Sequence, residues 1–331
     1  SKARANSTRM KITDSMPEIG GILPRSDLQA SVSDGSVLWG ISLDRVVAER
    51  RATPWWLWWN ILSLDAPTVA VLWAALFAQA SGRRLPAGES TALALSVWII
   101  YTSDRLLDGW AARNRGTLQE RHLFCDRHRF ILAGLVMAAS AIVLLLMADG
   151  SLAAEAGAGA KLGVILVFYM AGIHAGRGRI AWALPKELSV GFLFAMGATL
   201  PIWSRCLRFP WHEFLPWGFF ALLCSLNCLS IECWENHRQG AGWRQPPHPF
   251  VRWSAPRINR IAPALAVSAF AACLVPDAHG PSPSALLAVC AGALLILVLN
   301  HARAKLSSAA LRVFADIALL VPALFTLLVR G

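Results

Sequence analysis

Val97-Trp98-Ile99-Ile100-Tyr101-Thr102-Ser103-Asp104-Arg105-Leu106-Leu107-Asp108 closes an apolar run that begins near Thr91. With the residues that follow, the run is long enough to span a bilayer. Two carboxylates and an arginine at the end of such a span are expensive. Insertion scales charge roughly 2.5–3.5 kcal/mol for each at mid-membrane, which makes a functional site the default reading. Asp104 and Asp108 are four residues apart, so a helix stacks them on one face about 6 Å apart. Carboxylates that close repel unless a cation lies between them or one keeps its proton. A divalent metal resolves the repulsion most simply. The alternative is a lip of interfacial charge in which Arg105 pairs with one of the two aspartates.

Composition points the same way. Of the 331 residues 56% are hydrophobic and 15% charged, against about one quarter charged in soluble domains. The chain therefore belongs in a membrane. A net charge of +11 would suggest nucleic acid in a soluble protein, but here Arg and Lys fall between apolar spans and are explained by topology. The seven cysteines include no CxxC pair, and most lie in apolar runs as small core residues.

Residues 1–50 differ from the rest. Ser1 to Asp34 is rich in Ser, Arg, Lys, Gly and Pro without a period, and no apolar core follows its early basic residues, unlike a secretory signal. It reads as a flexible cytoplasmic leader and a possible docking segment for a protein partner. Val37 to Val47 reads as a short amphipathic piece on the membrane surface. From residue 51 onward the chain is expected to be one transmembrane domain of nine spans: 55–80, 91–111, 130–147, 161–175, 187–203, 215–234, 261–275, 282–300 and 313–329. Pro201 and Pro322 lie inside spans, which neighbouring helices tolerate.

Basic residues test that count. Sixteen lysines and arginines fall in one set of alternate loops, from Arg113 to Arg129, Arg177 to Lys186, Arg238 to Arg260 and Arg303 to Arg312. The other set and the C-terminal end hold six: Arg83, Arg84, Lys161, Arg205, Arg208 and Arg330. The positive-inside rule then puts the N-terminus and the Asp104–Asp108 end in the cytoplasm.

A second polar constellation ends the sixth span: Asn227-Cys228-Leu229-Ser230-Ile231-Glu232-Cys233-Trp234-Glu235. Asn227 and Glu235 lie near one helix face, with Glu232 close to Glu235 in sequence. An even-numbered span also ends at the cytoplasm, so these groups should match Asp108 in depth and line a shared midline cavity. The competing reading is a second lip, with Arg238 neutralising Glu235. Elsewhere, Trp55-Trp56-Leu57-Trp58-Trp59 reads as an interfacial aromatic belt. Asp65 either meets a ligand's polar group or pairs within the bundle. Asp316 is expected to pair with Arg312, four residues earlier. His122, His237 and His301 lack metal-ligand spacing. Arg121 and Arg127 either cap the cavity or meet anionic headgroups.

The chain resembles the UbiA superfamily of intramembrane prenyltransferases, all-α bundles of nine transmembrane helices. The superfamily carries an acidic NDxxDxxxD motif on its second helix and an Asp-rich motif on its sixth. Asp104 and Asp108 match the last two acids of the first motif, while Ile100 and Tyr101 stand where Asn and Asp are usual. Asn227 to Glu235 resembles the second, with Glu in place of Asp. Pro185-Lys186-Glu187 through Pro201 resembles the fifth helix, whose leading Lys faces diphosphate. The resemblance implies that Asp104, Asp108, Asn227, Glu232 and Glu235 ligate Mg²⁺. It further implies that Lys186, Arg105 and Arg121 contact a prenyl diphosphate, and that Asp104, Asp108, Glu232 and Glu235 drive its transfer to a hydrophobic acceptor within the membrane lipids. Nucleic acid has no place in it. A membrane terpene cyclase using the same acids is one alternative; a lipid- or pigment-binding scaffold that kept the fold, favoured by Ile100 and Tyr101, is the other.

Overall fold

The computed structural model describes residues 30–33, 36–39, 54–113, 124–125, 127–150, 152–175, 185–205, 211–238, 248–275 and 283–330. The chain divides into two units, Ser1–Thr53 and Pro54–Gly331.

In the first unit two short strands, β1 (Ala30–Ser33) and β2 (Ser36–Trp39), pair antiparallel, with Ser33 opposite Ser36 and Ala30 opposite Trp39. Val37 to Trp39 are thus extended, not the start of an amphipathic helix. The signal for this was in the sequence, since Asp34-Gly35 between two short Ser/Val-rich runs is a favoured two-residue hairpin loop. The remainder of the expected interfacial piece, and most of the leader, lie outside the described residues.

The second unit is helical throughout its described elements. Among the described residues the longer helices are α1 (Asp65–Ala80), α2 (Ala87–Arg113), α3 (Arg129–Ala148), α4 (Ala153–Ala175), α5 (Lys186–Ala198), α6 (Trp211–Arg238), α7 (Ile258–Cys273), α8 (Pro283–Ala302) and α9 (Ser308–Arg330), each overlapping an expected span. Five of them, α3, α4, α6, α8 and α9, are long and apolar enough to cross a membrane. The chain therefore reads as a multi-pass membrane protein. α5 and α7 are too short to pass by themselves, and α2 carries Asp104, Arg105 and Asp108 in its last turns.

Three expected spans differ in outline. Residues 55–80 do not form one helix: Trp55–Ile61 and α1 meet at a 78° bend. Ser63 at the corner adopts a left-handed φ of 59°, and Asn60 Nδ2 donates to Asp65 Oδ2 at 2.5 Å across the turn. A helix cannot continue through that conformation. The exposed Trp55, Trp58 and Trp59 lie on the detached piece, as an interfacial belt requires. Residues 187–203 are split at Thr199, where α5 ends and a single turn, Leu200–Trp203, begins. α4 starts eight residues before Lys161, through a Gly/Ala-rich stretch whose Glu155 read as loop. Glu155 is buried there because Arg205 Nε donates to its Oε1 at 2.6 Å. Glu89, at the start of α2, pairs with the same guanidinium.

α1 and α6 form the centre. α1 packs on α2, α5, α8 and α9, while α6 packs on α5, α7, α8 and α9. At the heart Trp73 of α1 stacks on Phe220 of α6, centroids 4.1 Å apart, and its Nε1 donates to the Leu319 carbonyl of α9 at 3.1 Å. The indole buries apolar surface and still satisfies its one donor. α3 and α4 are peripheral. Only 11% and 6% of their spans are buried, against 56% for α6. Phe130, Met137, Leu144, Leu145, Val167 and Phe168 stand exposed on them, a surface that suits lipid and not water.

α5 and α6 approach most closely at Gly191. A Cβ there would lie 2.5 Å from the Ser225 backbone nitrogen and 2.7 Å from its Cα. Small residues permit such backbone contact between membrane helices. We expect Gly191→Ala to lower stability by roughly 1–3 kcal/mol, because the obstruction is rigid backbone. Gly157→Ala, which meets nothing within 4 Å, should shift it by no more than about 1 kcal/mol. Denaturation of both variants in detergent decides the point; equal effects would mean the α5–α6 contact tolerates a methyl group.

Candidate functional site

Two polar clusters lie one above the other toward one end of the helical unit. The outer cluster forms around Lys186, the first residue of α5. Its ammonium lies 3.8 Å from Glu232 Oε2 of α6. Asp104 and Asp108, in the last turns of α2, lie at the same end of the bundle as this half-exposed lysine. Tyr169 of α4 donates its hydroxyl to the Lys186 carbonyl at 3.3 Å, so a fourth helix adjoins the cluster. Glu187 is buried beside it, a residue that sequence reasoning did not single out.

The convergence follows from helix direction. Asp104 and Asp108 are near the end of α2, Lys186 opens α5, and Glu232 is near the end of α6. These ends meet, while the start of α2, the start of α4 and Arg205 beyond α5 meet at the opposite pole. Up-and-down packing leaves those groups nowhere else to go.

The inner cluster lies about one turn deeper. Tyr101 precedes Asp104 by three residues, Cys228 precedes Glu232 by four, and Val190 follows Lys186 by four. They line a cavity of about 50 Å³ together with Asp65, Asn227 and Asp316. Arg105 is buried here and not at the lip: it pairs with Asp65 Oδ2 at 3.7 Å and donates to the carbonyls of Asn60 and Ile61. Asn227 Nδ2 donates to Asp316 Oδ1 at 3.3 Å, and the Asp316 and Asp65 carboxyl groups border the same cavity.

The second polar constellation is therefore divided. On α6, five residues separate Asn227 from Glu232, which turns the two side chains about 140° apart. Glu232 joins Lys186, whereas Asn227 and Glu235 face α9. Glu235 pairs with Arg312. That pairing overturns the expectation for Asp316, which faces Asp65 and Asn227 instead. Arg312 has carboxylates in reach along its own helix and across to α6, and only packing selects between them. Arg105 likewise turns away from Asp104 and Asp108 and from any diphosphate at the outer cluster. Asp65 takes the within-bundle reading. Arg121 lies outside the described residues.

Whether Mg²⁺ suits this donor set depends on how the ion is held. Among the described residues no group of three or more His, Cys, Asp or Glu side chains is arranged to hold a metal by itself. Mg²⁺ is usually bound by one or two carboxylates together with substrate phosphates and water. Asp104, Asp108 and Glu232 are hard oxygen donors of that kind, carried near the ends of α2 and α6 at one end of the bundle. They fit an ion that arrives with a diphosphate. Asn227 and Glu235, both engaged with α9, leave the expected ligand set. Comparisons with protein-family models, with curated proteins and with solved structures find no match to this chain.

Proposed function

We propose that the chain is a UbiA-like intramembrane prenyltransferase that works at the Lys186 cluster. The observation that carries the reading is the ion pair of Lys186 with Glu232 at the end of the bundle where α2 carries Asp104 and Asp108. A prenyl diphosphate brings dense negative charge to the edge of the bilayer, and carboxylates alone would repel it. Lys186 supplies one positive charge directly. Asp104, Asp108 and Glu232 would hold Mg²⁺, which neutralises the departing diphosphate.

The chain's own residues then have separate tasks. Lys186 moves its charge from Glu232 to a diphosphate oxygen and stabilises the leaving group as the bond to the allylic carbon breaks. The new bond forms between that carbon and the acceptor, which gives up a proton to the released diphosphate. Apolar walls on α4 and α5 exclude water, so the electrophilic carbon is not lost to hydrolysis. The prenyl tail extends into lipid past the exposed faces of α3 and α4. Acceptor identity rests on residues with no distinguishing chemistry here, and its class is hydrophobic.

The reading also takes all nine helices as crossings. α5 continues through Leu200–Trp203, and α7 is preceded by the helical pieces Pro249–Ser254 and Ala255–Arg257. These adjoining segments supply the length that the nine-crossing reading requires of α5 and α7. The Lys186 pole then faces the cytoplasm with the basic loops.

Calorimetry in detergent tests the site. Wild-type protein should bind geranylgeranyl diphosphate in the presence of Mg²⁺, and Asp108→Asn and Lys186→Gln should each weaken binding at least about tenfold, a loss of roughly 1.4 kcal/mol. Wild-type binding that is absent, or indifferent to both metal and substitution, would leave the non-catalytic lipid-binding scaffold. For topology, single cysteines placed near Arg121, Arg179, Arg252 and Arg303 should react only with permeant reagent from outside, and those near Arg84 and Arg208 with impermeant reagent. Two basic loops on the outer side would end the nine-crossing arrangement.

A further inference from the structure

The inner cluster has a charge that its own residues do not balance. Asp65 and Asp316 bring two carboxyl groups to the cavity, while Arg105 brings one cation and spends it on Asp65 and on the Asn60 and Ile61 carbonyls. The remaining titratable groups on its walls are Tyr101 of α2 and Cys224 and Cys228 of α6, which add no positive charge. α5 contributes only Val190, Gly191 and Phe194. An unbalanced carboxylate in so apolar a setting does not persist.

The hydrogen-bond inventory is also incomplete. Asp65 Oδ1 and Asn227 Oδ1 are buried with no donor among the described residues, on side chains 6% and 7% exposed. Both residues border the cavity, as does Asp316. Asn227 has its amide nitrogen on Asp316, so its oxygen is left as an acceptor there. The groups lacking partners are therefore all oxygens, and what they lack is a donor or a cation. A volume of about 50 Å³ admits a small ion or water but no organic ligand.

We propose that this cavity, between α1, α2, α5, α6 and α9, is a site for one monovalent positive charge held by Asp65 and Asp316, delivered as a proton or as Na⁺. A proton would lie between the two carboxyl groups, with water donating to Asn227 Oδ1. Sodium would take Asp65 Oδ1, Asp316 and Asn227 Oδ1 as hard oxygen ligands. Either resolves the same excess charge and the same unpartnered acceptors. The site is separate from the Lys186 cluster and independent of prenyl transfer.

Two measurements on purified full-length protein separate the sources. Infrared spectra in sodium-free buffer at neutral pH should contain the carbonyl stretch of a buried protonated carboxylic acid, and Asp316→Asn should remove it. Thermal denaturation in NaCl against choline chloride at equal ionic strength reads the other arm. If Na⁺ is the natural occupant, it should erase the carboxylic acid band and raise the midpoint by roughly 3–5 °C at tenfold excess over its dissociation constant; Asp316→Asn should abolish both responses. If the proton is the occupant, the band survives NaCl and the midpoint does not move. Wild-type protein with neither the band nor a sodium response would overturn the proposal, whatever the variant does. So would a band and a sodium response that both persist in Asp316→Asn.

Discussion

Arg105 is a permanent cation in the interior of an apolar bundle, and much of the fold is arranged to answer it. Its guanidinium draws Asp65 of α1 and the carbonyls of Asn60 and Ile61 toward α2. Those carbonyls are available because the chain breaks at Ser63 and does not run on as helix. The bend in turn sets the tryptophan-bearing piece apart from α1. Breaking a buried pair by removing one partner costs about 3–5 kcal/mol, more than most single contacts contribute. A charge, a turn and an aromatic belt are thus linked through one side chain.

Similar reasoning applies at both poles. Glu89 and Glu155 are buried where they are because Arg205 reaches both, and this clamps the start of α2 to the start of α4. At the other pole Glu235 and Arg312 join α6 to α9, and Glu232 and Lys186 join α6 to α5. Below the inner polar cluster the helices meet through close contacts, from Trp73 on Phe220 to Gly191 against Ser225. The centre is packed through α1, α6, α8 and α9. α3 and α4 lean on it from outside, and the Lys186 cluster adjoins α4 through Tyr169.

The positions of the helices were legible in advance. An apolar run near 20 residues has few alternatives in a bilayer, since each unsatisfied backbone group there costs several kcal/mol. That is a constraint along one dimension, and it acts on each segment separately. The exceptions carried competing local signals: Ser63 and Asn60 break the first run, Thr199 and Pro201 the fifth, and a glycine-rich start with a buried glutamate disguised the beginning of α4. The small hairpin at Asp34-Gly35 was readable and was subsumed into a featureless leader.

Among the site residues, the sequence by itself determined which polar groups enter the bundle and at what depth. Asp104, Asp108, Lys186 and Glu232 meet because helix direction and residue offset place them at one pole. Which charge faces which was decided only by the tertiary structure. Arg105 had Asp104 and Asp108 on its own helix and chose Asp65; Arg312 had Asp316 and chose Glu235; Asn227 and Glu232, neighbours on one helix, point to different partners. Depth follows from counting residues along a chain. Pairing depends on the rotation of each helix about its axis, where 100° per residue carries a side chain from one neighbour to the next, and the packing of the other helices fixes that rotation.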